Sequence, residues 1–153
     1  MYKNKLIYGI ITARGGSKSI PNKNIKKING KPLIYYSIAT SLKSKLIDRT
    51  IMSTDSSKIL ALGKKFNCEV PFLRPKKIAK DKSTDFEVFK HLSNWLKRND
   101  KRPSYYVHLR PTHPIRNYKI IDLAIKKLIE KKNYDSLRSL SVSKETPFKT
   151  WIK

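Results

Sequence analysis

A single cysteine, Cys68, stands among 153 residues. That excludes an internal disulfide and any zinc site built on cysteine pairs. Acidic side chains are scarce, with 11 Asp and Glu against 35 Lys and Arg and a formal net charge of +24. No apolar run approaches the ~18 residues of a membrane span. The apolar stretch behind the basic start ends at Thr12 and runs straight into Ala13-Arg14-Gly15. With no long apolar core and no cleavage site after it, a signal peptide is not expected, and the chain is expected to stay in the cytoplasm. There is no internal repeat, low-complexity tract or linker.

What is present describes one domain. A chain of ~150 residues can bury ~70% of its unfolded surface, so a full core is possible. At 39% hydrophobic and 10% aromatic residues the composition is globular. The positive charge is mostly lysine and spread along the chain, as in Lys26-Lys27, Lys64-Lys65, Lys76-Lys77, Lys126-Lys127 and Lys131-Lys132. A solvated lysine-rich surface is the preferred reading. A nucleic-acid face and the binding of anionic small molecules are the alternatives. Neither a membrane nor a nucleic acid is the expected partner.

Residues 5–12 read as a buried strand, short, β-branched and apolar. Residues 13–24 form a loop rich in Gly, Ser, Asn and Pro. Asn29-Gly30 signals a tight turn. Pro32 opens a helix with an apolar stripe of Leu33, Ile34, Ser37, Ile38 and Leu42. A strand is predicted over 49–53. Thr54, Asp55 or Ser56 caps the helix that carries Ile59, Leu60, Leu62 and Phe66. Residues 70–73 read as a brief strand or an extended segment, and 74–84 as a charged loop with one proline. Ser83 or Thr84 caps a helix bearing Phe86, Phe89, Leu92, Trp95 and Leu96. A buried strand follows over 105–109, then a two-proline loop over 110–116. The next helix carries Ile120, Ile121, Ala124, Ile125, Leu128 and Ile129, and residues 135–143 alternate like a strand. Strands alternating with helices imply an α/β fold, a doubly wound, mainly parallel sheet with helices on both faces. The end at Thr150-Trp151-Ile152-Lys153, with no closing helix, gives the expectation of an incomplete domain.

In open α/β sheets ligands bind at the carboxyl ends of the strands. Loops 13–24 and 110–116 and the loop at Asp55 leave such ends. Gly15-Gly16 permits close backbone approach, and successive amides can form an anion-binding concavity. Arg14, Lys18 and Lys23 bring cations to the same loop, which is equipment for a polyphosphate. It is not a Walker loop: Ser17 stands between Gly16 and Lys18, Gly9 lies too far back, and Ile20-Pro21 disfavours a helix there. No Gly-x-Gly-x-x-Gly is present either. His108 and His113 make a poor metal site, and a structural or surface role is expected. Asp81 and Asp85, with Glu87, could form a carboxylate pair, but Asp85 is expected rather to serve a first helical turn, where negative charge is favoured. Asp55 either caps a helix or faces the site. Cys68 is expected to be inert.

The run from Ala13 to Asn24, ARGGSKSIPNKN, resembles the nucleotide loop of the acylneuraminate cytidylyltransferases (CMP-sialic acid synthetases). Further segments agree in order: Asn29-Gly30-Lys31-Pro32-Leu33, Ser53-Thr54-Asp55, Phe72-Leu73-Arg74-Pro75 with Ala79 and Asp81, Arg110-Pro111-Thr112-His113-Pro114-Ile115-Arg116, and Thr146-Pro147-Phe148-Lys149. The resemblance spans residues 5–151. It implies a nucleotidyltransferase that joins CTP to a nine-carbon acidic sugar of sialic, legionaminic or pseudaminic type, releasing pyrophosphate. It implies that Arg14 and Lys18 are catalytic. Ala13, Arg14, Ser17, Lys18, Lys23, Asn24 and Arg74 would bind the nucleotide, and Arg110 and Lys149 the sugar. It implies Mg²⁺ as cofactor, with ligands expected beyond the end of this chain, and a homodimer for the full-length family member. Residues 1–153 would then be one truncated nucleotide-binding domain, expected to bind CTP weakly and turn over poorly.

This sequence departs from the family pattern in places. The family carries glutamine at the position of Arg110. The related KDO-type synthetases place an aspartate where Pro111-Thr112 stands here. Another sugar nucleotidyltransferase, of KDO type or using a different nucleotide, is the alternative, followed by an inactive or basic nucleic-acid-binding remnant.

Overall fold

In the computed structural model, residues 1–17, 19–131 and 133–140 are described. The central sheet is parallel and is built from β1 (Ile7–Thr12), β4 (Arg49–Ser53) and β5 (Tyr105–His108) in the order β4-β1-β5. The first strand therefore lies in the middle. The chain crosses to one side of it for β4 and returns to the other side for β5. That reversal is the switch point of a doubly wound sheet, and it opens a crevice above the carboxyl ends of β1 and β5.

Side-chain alternation along β1 divides the core between two layers. Ile11 on one face packs with Ile34 and Ile38 of α1 (Leu33–Lys43), Ile59 of α2 (Ser57–Lys65) and the partly buried Ile121 of α4 (Tyr118–Glu130). Tyr8 and Ile10 on the other face pack with Leu92 and Leu96 of α3 (Asp85–Asn99). Helices thus cover both faces, as the alternating sequence predicts. Gly9 lets α1 approach closely, because a Cβ there would lie 2.3 Å from Ser41 Oγ, which shares a 2.7 Å hydrogen bond with Thr50 Oγ1. Cys68 is buried, and its burial, with Glu69 nearby, pushes the thiol up to about 12, so it remains protonated and inert as expected.

Loop 13–24 runs not into an α-helix but into a single 3₁₀ turn, Lys23–Ile25. It continues through a small antiparallel hairpin of β2 (Lys27–Ile28) and β3 (Lys31–Pro32). Asn29 and Gly30 both take positive φ at its tip, 45° and 74°, the backbone that an Asn-Gly turn supplies. Pro32 then takes the N-cap position, one residue before the helix that the sequence suggested it would start. Ser56 caps α2 by accepting from the Ile59 amide, and Thr84 caps α3 in a reciprocal capping box with Glu87. Residues 70–73 form no strand; Leu73 makes one parallel bridge to Thr54, and Phe72 lies in a bend.

Several expectations are corrected. Leu42, Phe86 and Ile120 are 49%, 73% and 62% exposed, so they lie off the buried stripes; Ser41 and Val88 are buried near the first two, and Ile125 is the buried residue of α4. Over 135–140 no strand forms and every residue is exposed, because no neighbouring strand offers a hydrogen-bonding partner there. The remainder of that expected strand, 141–143, lies outside the described residues.

Candidate functional site

The crevice at the switch point is a cleft of about 210 Å³, lined from the end of β1, from loops 13–24, 74–84 and 110–116, and from the first turn of α3. Thr12, Arg14, Ser17, Lys23, Asn24, Arg74 and Arg110 all line it. The sequence places these residues up to ~100 positions apart, and the parallel topology gathers them at one sheet edge. Ala13 is fully buried beneath them, its amide donating to the Ser53 carbonyl at 3.1 Å. Lys18 and Lys149 lie outside the described residues.

Hydrogen bonds hold the floor. Asn24 is buried and donates from Nδ2 to the Arg14 carbonyl at 2.8 Å, pinning one end of the loop to the other. The Gly15 amide donates to Asp55 Oδ1 at 2.9 Å. Gly15 has little room, since a Cβ would sit 3.0 Å from the Ser56 Cβ, whereas Gly16 has nothing within 4 Å. Asp55 is thus not the helix cap. It fastens the loop, and it also stands 3.7 Å from Arg74 Nη2. Arg74 is buried and its Nε has no protein partner. Burial lowers its pKa from the ordinary arginine value, and Asp55 opposes that shift. A buried guanidinium of this kind offers a poorly satisfied donor to any anion entering the cleft.

The cleft walls carry carboxylates that sequence reasoning did not place there. Asp81 Oδ1 accepts from Arg14 Nη1 at 2.7 Å. Asp85, at the start of α3, accepts from Arg110 Nη2. The helix-start role expected of Asp85 is met, but its pairing across the cleft was missed. Opposite charges 25 residues apart carry no local periodicity, so only the fold brings them together. His108 shares a 3.0 Å hydrogen bond with Thr12 Oγ1 and lies 3.9 Å from Asp85 Oδ1. Its pKa is lowered, first by burial and then by Arg110 and Arg116, with Asp85 opposing. His113 is exposed, and among the described residues no cluster of His, Cys, Asp or Glu could hold a metal ion. Arg116 closes the base of its loop, donating to Ser37 Oγ at 3.0 Å and to the Arg110 carbonyl at 2.5 Å.

Chemically, the cleft offers guanidinium and ammonium groups on separate segments. That arrangement neutralises and orients a ligand bearing several negative oxygens. Among the described residues, no helix is long and apolar enough to cross a membrane.

Residues 8–150 match the protein family described as cytidylyltransferase. The chain is 36% identical over 121 residues to a pseudaminic acid cytidylyltransferase of Campylobacter jejuni, an alignment covering 79% of this chain and 52% of that protein. It is 33% identical over 119 residues to a CMP-N,N'-diacetyllegionaminic acid synthase of Legionella pneumophila, covering 78% of this chain and 51% of the relative. The fold is similar to that of a CMP:2-keto-3-deoxy-manno-octonic acid synthetase solved with CTP, with a TM-score of 0.69 at 16% identity, over 84% of this chain and 49% of that one. The chain therefore spans about half the length of these relatives.

Proposed function

The chain belongs to the cytidylyltransferase family, and from that membership we propose that its cleft binds CTP and an acidic nine-carbon sugar and joins them as a CMP-sugar. The observation that carries the proposal is the convergence of Arg14, Lys23, Asn24 and Arg74 on one cleft at the switch point of the sheet. A triphosphate is the ligand that such a set of cations suits best.

In this reading the anomeric hydroxyl of the sugar attacks the α-phosphorus of CTP. A new P–O bond forms, the bond from the α-phosphorus to the α–β bridging oxygen breaks, pyrophosphate leaves with that oxygen, and the hydroxyl proton is released to water. Arg14 and Lys18 are the catalytic cations, stabilising charge as it builds on the phosphoryl oxygens. Ser17, Lys23, Asn24 and Arg74 hold the nucleotide, and main-chain groups near Ala13 read the base. Arg110 and Lys149 lie on the sugar side. Positioning and charge neutralisation then supply most of the rate.

Mg²⁺ is the expected cofactor of such a reaction and would neutralise phosphate charge. The described residues do not fit a magnesium site of their own. Asp55, Asp81 and Asp85 are each engaged by an arginine, and no ligand cluster forms among them. The chemistry assigned here therefore rests on the chain's own cations. We place the enzyme in the cytoplasm, where CTP is found, and as a homodimer in its full-length form.

The test is ³¹P NMR of CTP with N-acetylneuraminic, legionaminic or pseudaminic acid in the presence of Mg²⁺. A slow CMP-sugar signal with pyrophosphate release from one of them is expected, in keeping with the weak CTP binding and poor turnover expected of residues 1–153. A folded chain that binds CTP but converts none of the sugars would overturn the sugar assignment. One that does not bind CTP would overturn the whole reading.

A further inference from the structure

Arg110 reads in the sequence as an added cation on the sugar side of the cleft. The structure pairs it instead. Its Nη2 donates to Oδ2 of Asp85, and the two side chains remain 61% and 42% exposed at the cleft wall. The backbone beneath is fixed independently, because the Arg110 carbonyl accepts from Arg116 Nη2 at 2.5 Å and from Ser37 Oγ at 3.5 Å. Arg116 is thereby turned to the base of its loop and away from the role of a second cation beside Arg110. The nearest imidazole, His108, lies 3.9 Å from the other Asp85 oxygen and is hydrogen-bonded to Thr12. Burial lowers the pKa of that imidazole, and Asp85 opposes the shift.

At this point of the wall a guanidinium and a carboxylate therefore stand together with no net charge between them. A guanidinium has five N–H donors in a fixed fork, and a carboxylate has about four acceptor positions. One contact between them leaves donors and acceptors side by side facing the cleft. A hydroxyl or an acylamino group, which both donates and accepts, complements that surface. A carboxylate does not, because Asp85 repels it.

We propose that Asp85 and Arg110 act as one neutral donor–acceptor unit that reads a hydroxyl or acylamino substituent of the sugar, while the sugar's carboxylate is held elsewhere. The proposal rests on the CTP-and-sugar reading of the cleft and names which part of the sugar this wall selects. It makes Asp85 a specificity residue, a role beyond its place in the first turn of α3.

The experiment follows the ¹⁵N signals of arginine side chains by NMR in the full chain, assigned with Arg110→Gln. The probes are inorganic pyrophosphate, as a pure anion, and the methyl ester of N-acetylneuraminic acid, which has hydroxyl and acylamino groups but no charge. In the wild type, Arg110 is expected to respond to the ester and not to pyrophosphate. In Asp85→Asn the guanidinium loses its counter-charge, and pyrophosphate affinity at Arg110 is expected to rise roughly two- to fivefold. A purely structural role for Asp85 would change the melting temperature and leave this preference untouched. The proposal is overturned if wild-type Arg110 prefers pyrophosphate, if it ignores the ester, or if Asp85→Asn leaves pyrophosphate binding at Arg110 equal or weaker. CTP added to the same wild-type sample tests the underlying reading separately, through the Arg14 signals.

Discussion

Arg74 is the residue on which the cleft most depends. A buried guanidinium is tolerable only with a counter-charge, and Asp55 supplies it while also holding the Gly15 amide. Asp55→Ala removes both contacts at once. Urea denaturation is expected to show a loss of about 3 kcal/mol, and loop 13–24 should lose its fixed geometry with it. The histidines give a second handle. His91 and His108 both have lowered pKa values, with burial the first cause in each. At His91 the cations Arg74, Arg98 and Lys77 add to the shift. Both groups bind protons more readily in the unfolded chain than in the folded one. Their contribution is complete above the unfolded value of about 6.5 and is lost as the pH falls below it. The melting temperature is expected to fall between about pH 7 and about pH 5. A His91→Gln/His108→Gln double variant should show a flatter profile.

At the scale of elements, the sheet tolerates little change where α1 crosses β1. Gly9 sits against Ser41, whose hydroxyl is already committed to Thr50. Gly9→Ala forces one of these apart and is expected to cost about 1–3 kcal/mol in equilibrium unfolding. The main elements were legible in the sequence because each carries a local signal. Apolar β-branched runs mark β1 and β4, and Asn29-Gly30 marks the hairpin tip. Thr84 with Glu87 three residues on completes the capping box of α3. Loop 13–24 was legible as a loop leaving the carboxyl end of a strand from its glycines and proline, and the structure brings its Arg14 and Lys23 to the cleft. What stayed hidden is non-local. Asp81 and Asp85 reach across to Arg14 and Arg110, and nothing in the spacing of those residues announces it. The alternation over 135–140 misled for the same reason, since a strand needs a partner as well as a pattern. Leu42, Phe86 and Ile120 show the limit of periodicity, because a helix position can continue an apolar stripe and still lie beyond the edge of the layer it packs on.

At the scale of the whole molecule, the formal charge of +24 acts in two ways. Its self-repulsion opposes the compact state, so added salt should stabilise the chain. Raising sodium chloride from about 50 mM to about 300 mM, which shortens the screening length, is expected to raise the melting temperature. The same charge also favours the approach of anionic substrates to the cleft. Whether the cleft then discriminates among them is the central question, and equilibrium binding answers it most directly. CTP, ATP, GTP and UTP should be titrated with Mg²⁺ into the wild type and into Arg14→Ala. A preference for CTP that disappears in the variant is the predicted result. Equal binding of all four nucleotides by the folded wild type, or a CTP preference untouched by Arg14→Ala, would contradict the account.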